Sequence, residues 1–170
     1  VERARGPVVE MTLGPRGLAI AACAAGVIEA SPGRVYDVLR DVERYAERIP
    51  LMHRARVHGD WAEFSLRLKL AIFGVGFSFA SNIVEDPGKS LALRYRSGEP
   101  KDIAIHYDVA PVSSGAPDRC LLFVHIGFEI ESLGWLVKLF LRHHPEIQFG
   151  VFSGCALALL ESMRSAIAEV

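Results

Sequence analysis

No Gly-x-Gly-x-x-Gly, Walker-type phosphate loop or Gly-x-Ser-x-Gly occurs in this chain, which removes the usual sequence signals for nucleotide binding and esterase chemistry. Cysteine is scarce: Cys23, Cys120 and Cys155 are odd in number, sit among apolar residues and form no Cys-x-x-Cys pair. They read as buried free thiols rather than a disulfide framework. Net charge is nearly absent, because 19 basic and 20 acidic residues are mixed along the chain to give −1. That balance leaves no broad basic surface, and nucleic acid is not an expected partner. No uncharged run reaches the ~18–20 residues of a membrane-spanning helix. The one dense cluster of potential metal ligands, His143-His144-Pro145-Glu146, sets its two histidines about 100° apart if helical. They do not share an ion, so no metal and no other cofactor is expected.

Apolar residues, by contrast, are abundant. They make up 51% of 170 residues, with a mean hydropathy of +0.25. One domain of this length buries roughly 70% of the surface its unfolded chain exposes. An apolar excess lines a cavity as readily as it fills a core. Residues 1–17, with three Arg, two Pro and three Gly, show little periodicity and read as an N-terminal tail; residues 18–170 read as a single domain. Ile20-Ala21-Ala22-Cys23 has the form of a lipoprotein cleavage site, but the apolar run before it is shorter than the roughly 7–15 residues a secretory core needs.

The stretch from Gly26 to Tyr45 carries the most information. An apolar strand leads into Ser31-Pro32, where serine caps a helix and proline takes a first-turn position whose N–H has no helical partner. Val35, Val38, Leu39 and Val42 then recur at helical spacing, and a second short turn from Tyr45 to Ile49 ends at Pro50. From there to about Ile130 the period is two. Trp61 to Leu70 is the clearest run, with every even position apolar and most odd positions polar or charged. Leu51–His58, Phe77–Glu85, Ser90–Arg96, Ile103–Val109 and Cys120–Glu131 supply further strands. Gly59-Asp60, Gly74-Val75-Gly76 and Asp86-Pro87-Gly88-Lys89 read as the turns between them. With the strand over 18–30 this makes a seven-stranded antiparallel sheet, one face of which needs a cover. Leu133–His144 supplies one helical segment, and Glu146–Val170 a long final helix opened by Pro145.

This order of strand, Ala-Ser-Pro, Val-Tyr-Asp-Val-Leu, Asp41, Tyr45 and Pro50 resembles the opening of the START-like, Bet v 1-like superfamily of polyketide cyclases and lipid carriers. Phe128-Glu129-Ile130-Glu131-Ser132 followed by Leu133, Leu136 and Leu139 is similar to the last strand of its coenzyme-Q-binding branch, and Leu157–Arg164 to the end of its helix. The resemblance implies an α+β helix-grip fold. In it a curved seven-stranded antiparallel sheet wraps a long C-terminal helix, two short helices follow the first strand, and a hydrophobic cavity lies between sheet and helix. It does not specify the ligand, since one scaffold hosts carriers, cyclases and receptors.

Alternation decides which side chains face that cavity. The apolar parity selects Phe64, Leu66, Leu68, Phe77, Phe79, Leu93, Tyr95, Ile105, Tyr107, Val124, Ile126 and Phe128, joined by Phe152 of the final helix, as the expected ligand-binding set. Arg94, Arg96, His106, Asp108, His125 and Glu129 fall on the other parity. General acid–base chemistry needs such a group beside the substrate, so no catalytic residue is expected. The leading expectation is a non-catalytic carrier of one lipid, sterol or isoprenoid quinone; a polyketide aromatase/cyclase of the same fold is the alternative. Large inward phenylalanines leave both a lined cavity and a filled core open. Phe73, in an apolar turn, and Trp135, Lys138 and Arg142, on the Leu133–His144 segment, form an expected transient membrane contact, with a lid over the cavity as the other reading of that segment. The expected location is cytoplasmic, at or near a membrane, with the periplasm as the alternative.

Overall fold

The computed structural model describes residues 6–70, 73–112 and 116–169. Strands β1 (Val8–Leu13) and β2 (Ala19–Ile28) lead into helices α1 (Pro32–Arg40) and α2 (Tyr45–Arg48). Six more strands follow: β3 (Met52–His58), β4 (Trp61–Leu70), β5 (Phe73–Asp86), β6 (Ser90–Gly98), β7 (Lys101–Pro111) and β8 (Cys120–Glu129). A 3-10 turn over Ile130–Leu133, then α3 (Trp135–His143) and α4 (Ile147–Glu169), complete the chain.

Local chemistry sets the α1–α2 corner. Ser31 Oγ accepts from the Arg34 N–H at 3.4 Å, and Pro32 occupies the first turn. At the far end the last carbonyls of a helix have no helical partner, and side chains supply them here. Tyr45 donates to the Leu39 carbonyl at 2.6 Å, while Arg48 donates to the Val38 carbonyl at 2.8 Å and to the Asp41 carboxylate at 2.9 Å. The corner is therefore held by hydrogen bonds as well as by burial of Val35, Val38, Leu39 and Tyr45.

The strands form one antiparallel sheet in the order β1-β2-β8-β7-β6-β5-β4-β3. β3 to β8 run as a meander, and β2 joins at β8 through pairs such as Ala24↔Val124 and Cys23↔His125. Helix α4 lies across the inner face against β2 and β8 and buries Phe152, Ala156, Leu159, Leu160, Met163 and Ile167. Each large side chain among them contributes about 1.5–3 kcal/mol. Gly26 permits the approach, since a Cβ there would stand 3.3 Å from Leu160 Cδ2. By length and composition α4 would suffice to cross a membrane. Its apolar character is put to use in the core.

Three sequence expectations change. The sheet has eight strands, not seven, because Val8–Leu13, expected as part of a tail over 1–17, pairs with β2 through Glu10↔Cys23 and Met11↔Ala22. This edge strand half-buries only Val9 and so shows no alternation. Gly74-Val75-Gly76, read as a turn, belongs to β5, whose pairing with β4 extends to Leu70↔Phe73. Residues 71 and 72 lie outside the described residues. Finally, β8 ends at Glu129 rather than Glu131, and Gly134 at φ 98° separates the 3-10 turn from α3.

A register shift between Ala80 and Ser81 sets Gly98 directly opposite Phe79. Gly98 has φ +100°, and an added Cβ would collide with the Ser78 carbonyl oxygen. Gly88 also has positive φ, +76°, yet nothing lies within 4 Å of its would-be Cβ. Gly88→Ala is expected to cost about 1 kcal/mol, the backbone penalty alone, and Gly98→Ala about 3 kcal/mol or more, since overpacking adds to it. Urea unfolding of the two variants checks the difference; equal losses would mean the Gly98 contact is relieved by a shift of the strand.

Candidate ligand-binding groove

The inward parity of the sheet places Phe64, Phe77, Phe79, Leu93, Ile105, Tyr107, Val124 and Ile126 in buried positions, with Phe152 of α4 facing them. Leu66, Tyr95 and Phe128 are half-buried against the same core. The backbone pairs Leu68 with Val75, but the side chains of Leu68 and Phe73 lie outside the described residues. Aromatic pairs knit the layer together: Phe64 and Phe79 have ring centroids 5.1 Å apart, and Phe128 and Phe152 4.8 Å apart. Tyr45 meets Tyr107 edge-on at 6.3 Å.

Polar groups on this face are few. Tyr95 sits at its margin and donates to the Gly98 carbonyl at 3.2 Å. The Tyr107 hydroxyl and Ser81 Oγ are buried with no hydrogen-bond partner. Burial pushes the phenols of both Tyr45 and Tyr107 upward, so each stays neutral at ordinary pH. Among the described residues the one charged side chain exposed below 10% in an ion pair is that of Arg48, which is held at the α1–α2 corner by Val38 and Asp41.

The inner face communicates with solvent at one end of α4. A cleft of about 610 Å³ is bounded by Arg16, Leu18, Glu131, Leu141, Pro145 and Gln148, together with Trp135, Lys138, Leu139 and Arg142 of α3. The α3 residues at 135, 138, 139 and 142 follow i, i+3, i+4, i+7 spacing, so one stripe of the helix forms a wall. A second cleft, of about 230 Å³, shares Arg16, Glu131 and Gln148 with the first and reaches Phe128 and Phe152. The two clefts adjoin at these shared side chains, and together they border a groove that runs from Arg16, Lys138 and Arg142 to Phe128 and Phe152 at the sheet–helix interface. Trp135, 72% exposed, stands at its rim. Glu131 bridges two of the mouth's cations, at 3.1 Å to Arg16 and 3.8 Å to Lys138.

Of the cleft residues, the sequence pattern put Phe128 and Phe152 in the expected ligand-binding set and gave Trp135, Lys138 and Arg142 to a membrane contact; it singled out neither Arg16, Leu18 nor Gln148. Arg16 lies in the segment taken for a tail. Gln148 did carry a signal, being the one side-chain amide in the apolar run from 147 to 160, and it is buried to 6% exposure.

The ionisable groups of the opposite parity lie on the outer, solvated face. His106 Nε2 is 3.3 Å and His125 Nε2 3.5 Å from the Asp108 carboxylate, each side chain 41–49% exposed. Cys23 Sγ lies 3.6 Å from His125 Nε2 in the next strand. Burial, and then the carboxylates of Glu10 and Asp108, push the Cys23 thiol up, so it is no activated nucleophile. Among the described residues no group of three such side chains is placed to hold a metal ion.

No curated protein matches the chain. Solved structures share the fold at low identity. An aromatase/cyclase from a Streptomyces species aligns at TM-score 0.61 and 16% identity, over 87% of this chain and 93% of that one. A START superfamily protein from Mycobacterium smegmatis aligns at 0.66 and 14%, over 89% and 99%. A STAR-related lipid transfer protein from Xanthomonas axonopodis aligns at 0.61 and 12%, over 99% and 97%. The pattern of one family, polyketide cyclase/dehydrase and lipid transport, matches residues 28–146, from the end of β2 through every later strand to the start of α4. With the eight-stranded sheet, the helix it grips and the groove between them, this chain belongs to the polyketide cyclase/dehydrase and lipid transport family.

Proposed function

We propose that this protein binds one hydrophobic small molecule, a lipid, sterol or isoprenoid quinone, and carries it without converting it. The observation that carries this reading is the groove from the α3 wall to the Phe128–Phe152 pair, which opens onto a face with no buried charge among the described residues. Binding there draws on apolar area, at roughly 25 cal/mol per Å² before ordering costs. Aromatase/cyclase chemistry is the competing activity of the family. It needs a proton-transferring group at the substrate; among the described residues the buried polar groups of the inner face are neutral phenols and a serine, and the ionisable side chains, Arg16, Glu129, Glu131, Lys138 and Arg142, border the clefts at its edge.

Loading at a membrane surface belongs to the same proposal. Trp135, Leu139 and Phe140 are exposed on α3, beside Lys138 and Arg142, and each base near an anionic leaflet contributes about 1 kcal/mol. A cytoplasmic setting is part of the reading, supported by three free thiols.

Native mass spectrometry followed by organic extraction is expected to find one apolar species per chain. Leu66→Asp, on the inner parity, is expected to abolish binding of an apolar fluorescent probe, whereas Arg67→Asp, on the wet parity, leaves probe binding and Tm unchanged. Equal damage from both would refute the facial assignment. A polyketide substrate turned over by the wild-type protein would replace the carrier reading with the cyclase one.

Tyr107→Phe removes an unpaired hydroxyl. It is expected to raise the Tm by about 2–4 °C, the equivalent of about 1 kcal/mol. A lowered Tm would show that the hydroxyl is satisfied in solution.

In liposome flotation, binding is expected to rise with anionic lipid, fall with salt and weaken in Trp135→Ala. Indifference to all three would leave α3 as a lid without a membrane role.

A further inference from the structure

The mouth of the groove has a charge pattern that the carrier reading does not require. Arg16, Lys138 and Arg142 surround the outer cleft, against a single carboxylate there, Glu131. That carboxylate contacts two of the cations at once, with Oε1 3.1 Å from Arg16 Nη2 and Oε2 3.8 Å from Lys138 Nζ. Arg142 has no ion pair among the described residues. Two further carboxylates stand nearby: Glu146, 3.4 Å from His144 Nδ1, and Glu129, which borders the inner cleft and is exposed; neither makes an ion pair with Arg16, Lys138 or Arg142 among the described residues.

Apolar surface continues inward from this cationic ring. Leu18, Leu139 and Leu141 border the outer cleft; Ile20, Phe128, Ile130 and Phe152 border the inner one. Gln148 lines both clefts, is 94% buried by its 6% exposure, and none of the side-chain hydrogen bonds among the described residues engages its amide. A cationic mouth, then a buried amide, then a cleft with Ile20, Phe128, Ile130 and Phe152 on its walls is complementary to one ligand class.

We propose that the cargo is an acidic amphiphile, a long-chain carboxylate whose headgroup lies among Arg16, Lys138 and Arg142 and whose chain runs past Gln148 toward Phe128 and Phe152. This rests on the carrier reading and names its ligand class. Glu131 occupies the headgroup's position in the unliganded protein, so the ligand carboxylate displaces it from Arg16 and Lys138. A carboxylate bound by Arg forms charge-assisted hydrogen bonds, about twice as strong as neutral ones. An ester or alcohol of equal length gains only the apolar part.

The test uses cis-parinaric acid and its methyl ester, titrated by fluorescence in vesicle-free buffer at pH 8, so that membrane attraction plays no part. Because Arg16 and Lys138 are largely exposed, the acid is expected to bind about three- to ten-fold more tightly than the ester, the scale of a few solvent-screened charge contacts. The double variant Arg16→Glu, Lys138→Glu is expected to bring the acid down to about the ester's affinity while changing the ester far less than the acid, with an unchanged Tm and circular dichroism spectrum reporting the fold. Glu131→Gln removes the competing carboxylate and is expected to tighten the acid several-fold, again sparing the ester. Equal binding of acid and ester by the wild-type protein, or charge reversals that weaken both alike, would overturn the acidic-ligand inference while leaving an apolar carrier. Binding of neither probe would overturn the carrier reading, and this inference with it.

Discussion

Helix α4 packs its apolar side on β2 and β8, and the shape of the rest follows from that contact. An eight-stranded antiparallel sheet with one greasy face is unstable in water unless something covers it. Here the cover is a single 23-residue helix, laid close at Gly26 and Leu160 and anchored by Phe152 on Phe128. Because α4 is one rod beneath a curved sheet, it closes the layer along β2 and β8 and leaves its N-terminal end to be completed by other pieces. Those pieces are the β1–β2 connection with Arg16, the 3-10 turn with Glu131, and α3. The groove is a geometric by-product of covering a curved surface with a straight element.

Much of the sheet was legible because alternation survives wherever one face is wet. In β4 Ala62 and Phe64 are buried on either side of exposed Glu63, and in β7 Ile103, Ile105, Tyr107 and Val109 are buried between half-exposed or exposed neighbours. The same rule fails at β1. An edge strand pairs on one side only and half-buries little more than Val9, so hydrophobic and polar residues follow each other without a period. It fails again at Gly74-Val75-Gly76, where glycine is a turn signal by composition and a strand by pairing. Long-range pairing outweighed the local preference.

The site was legible in part, for a related reason. Parity along strands identifies which residues point inward, and it correctly separated His106, Asp108 and His125 from the inner face. Parity carries no information about where a sheet and a helix part company. That place depends on how the 3-10 turn, Gly134 and α3 fold back over α4, and on a connection between two strands of which one went unrecognised. Arg16 and Gln148, 132 positions apart in sequence, meet only through that arrangement.

Residues 28–146 carry the family's pattern, yet the groove draws on both sides of that segment. Arg16, Leu18, Ala19 and Ile20 precede it, and Gln148 and Phe152 follow it. The matched segment thus builds most of the sheet and the α3 wall, while the opening's far wall comes from two terminal arms. The β1–β2 hairpin pairs with the rest of the sheet on one side alone, and α4 pairs with no strand. A change in either arm therefore reshapes the opening without breaking a strand pair inside the meander.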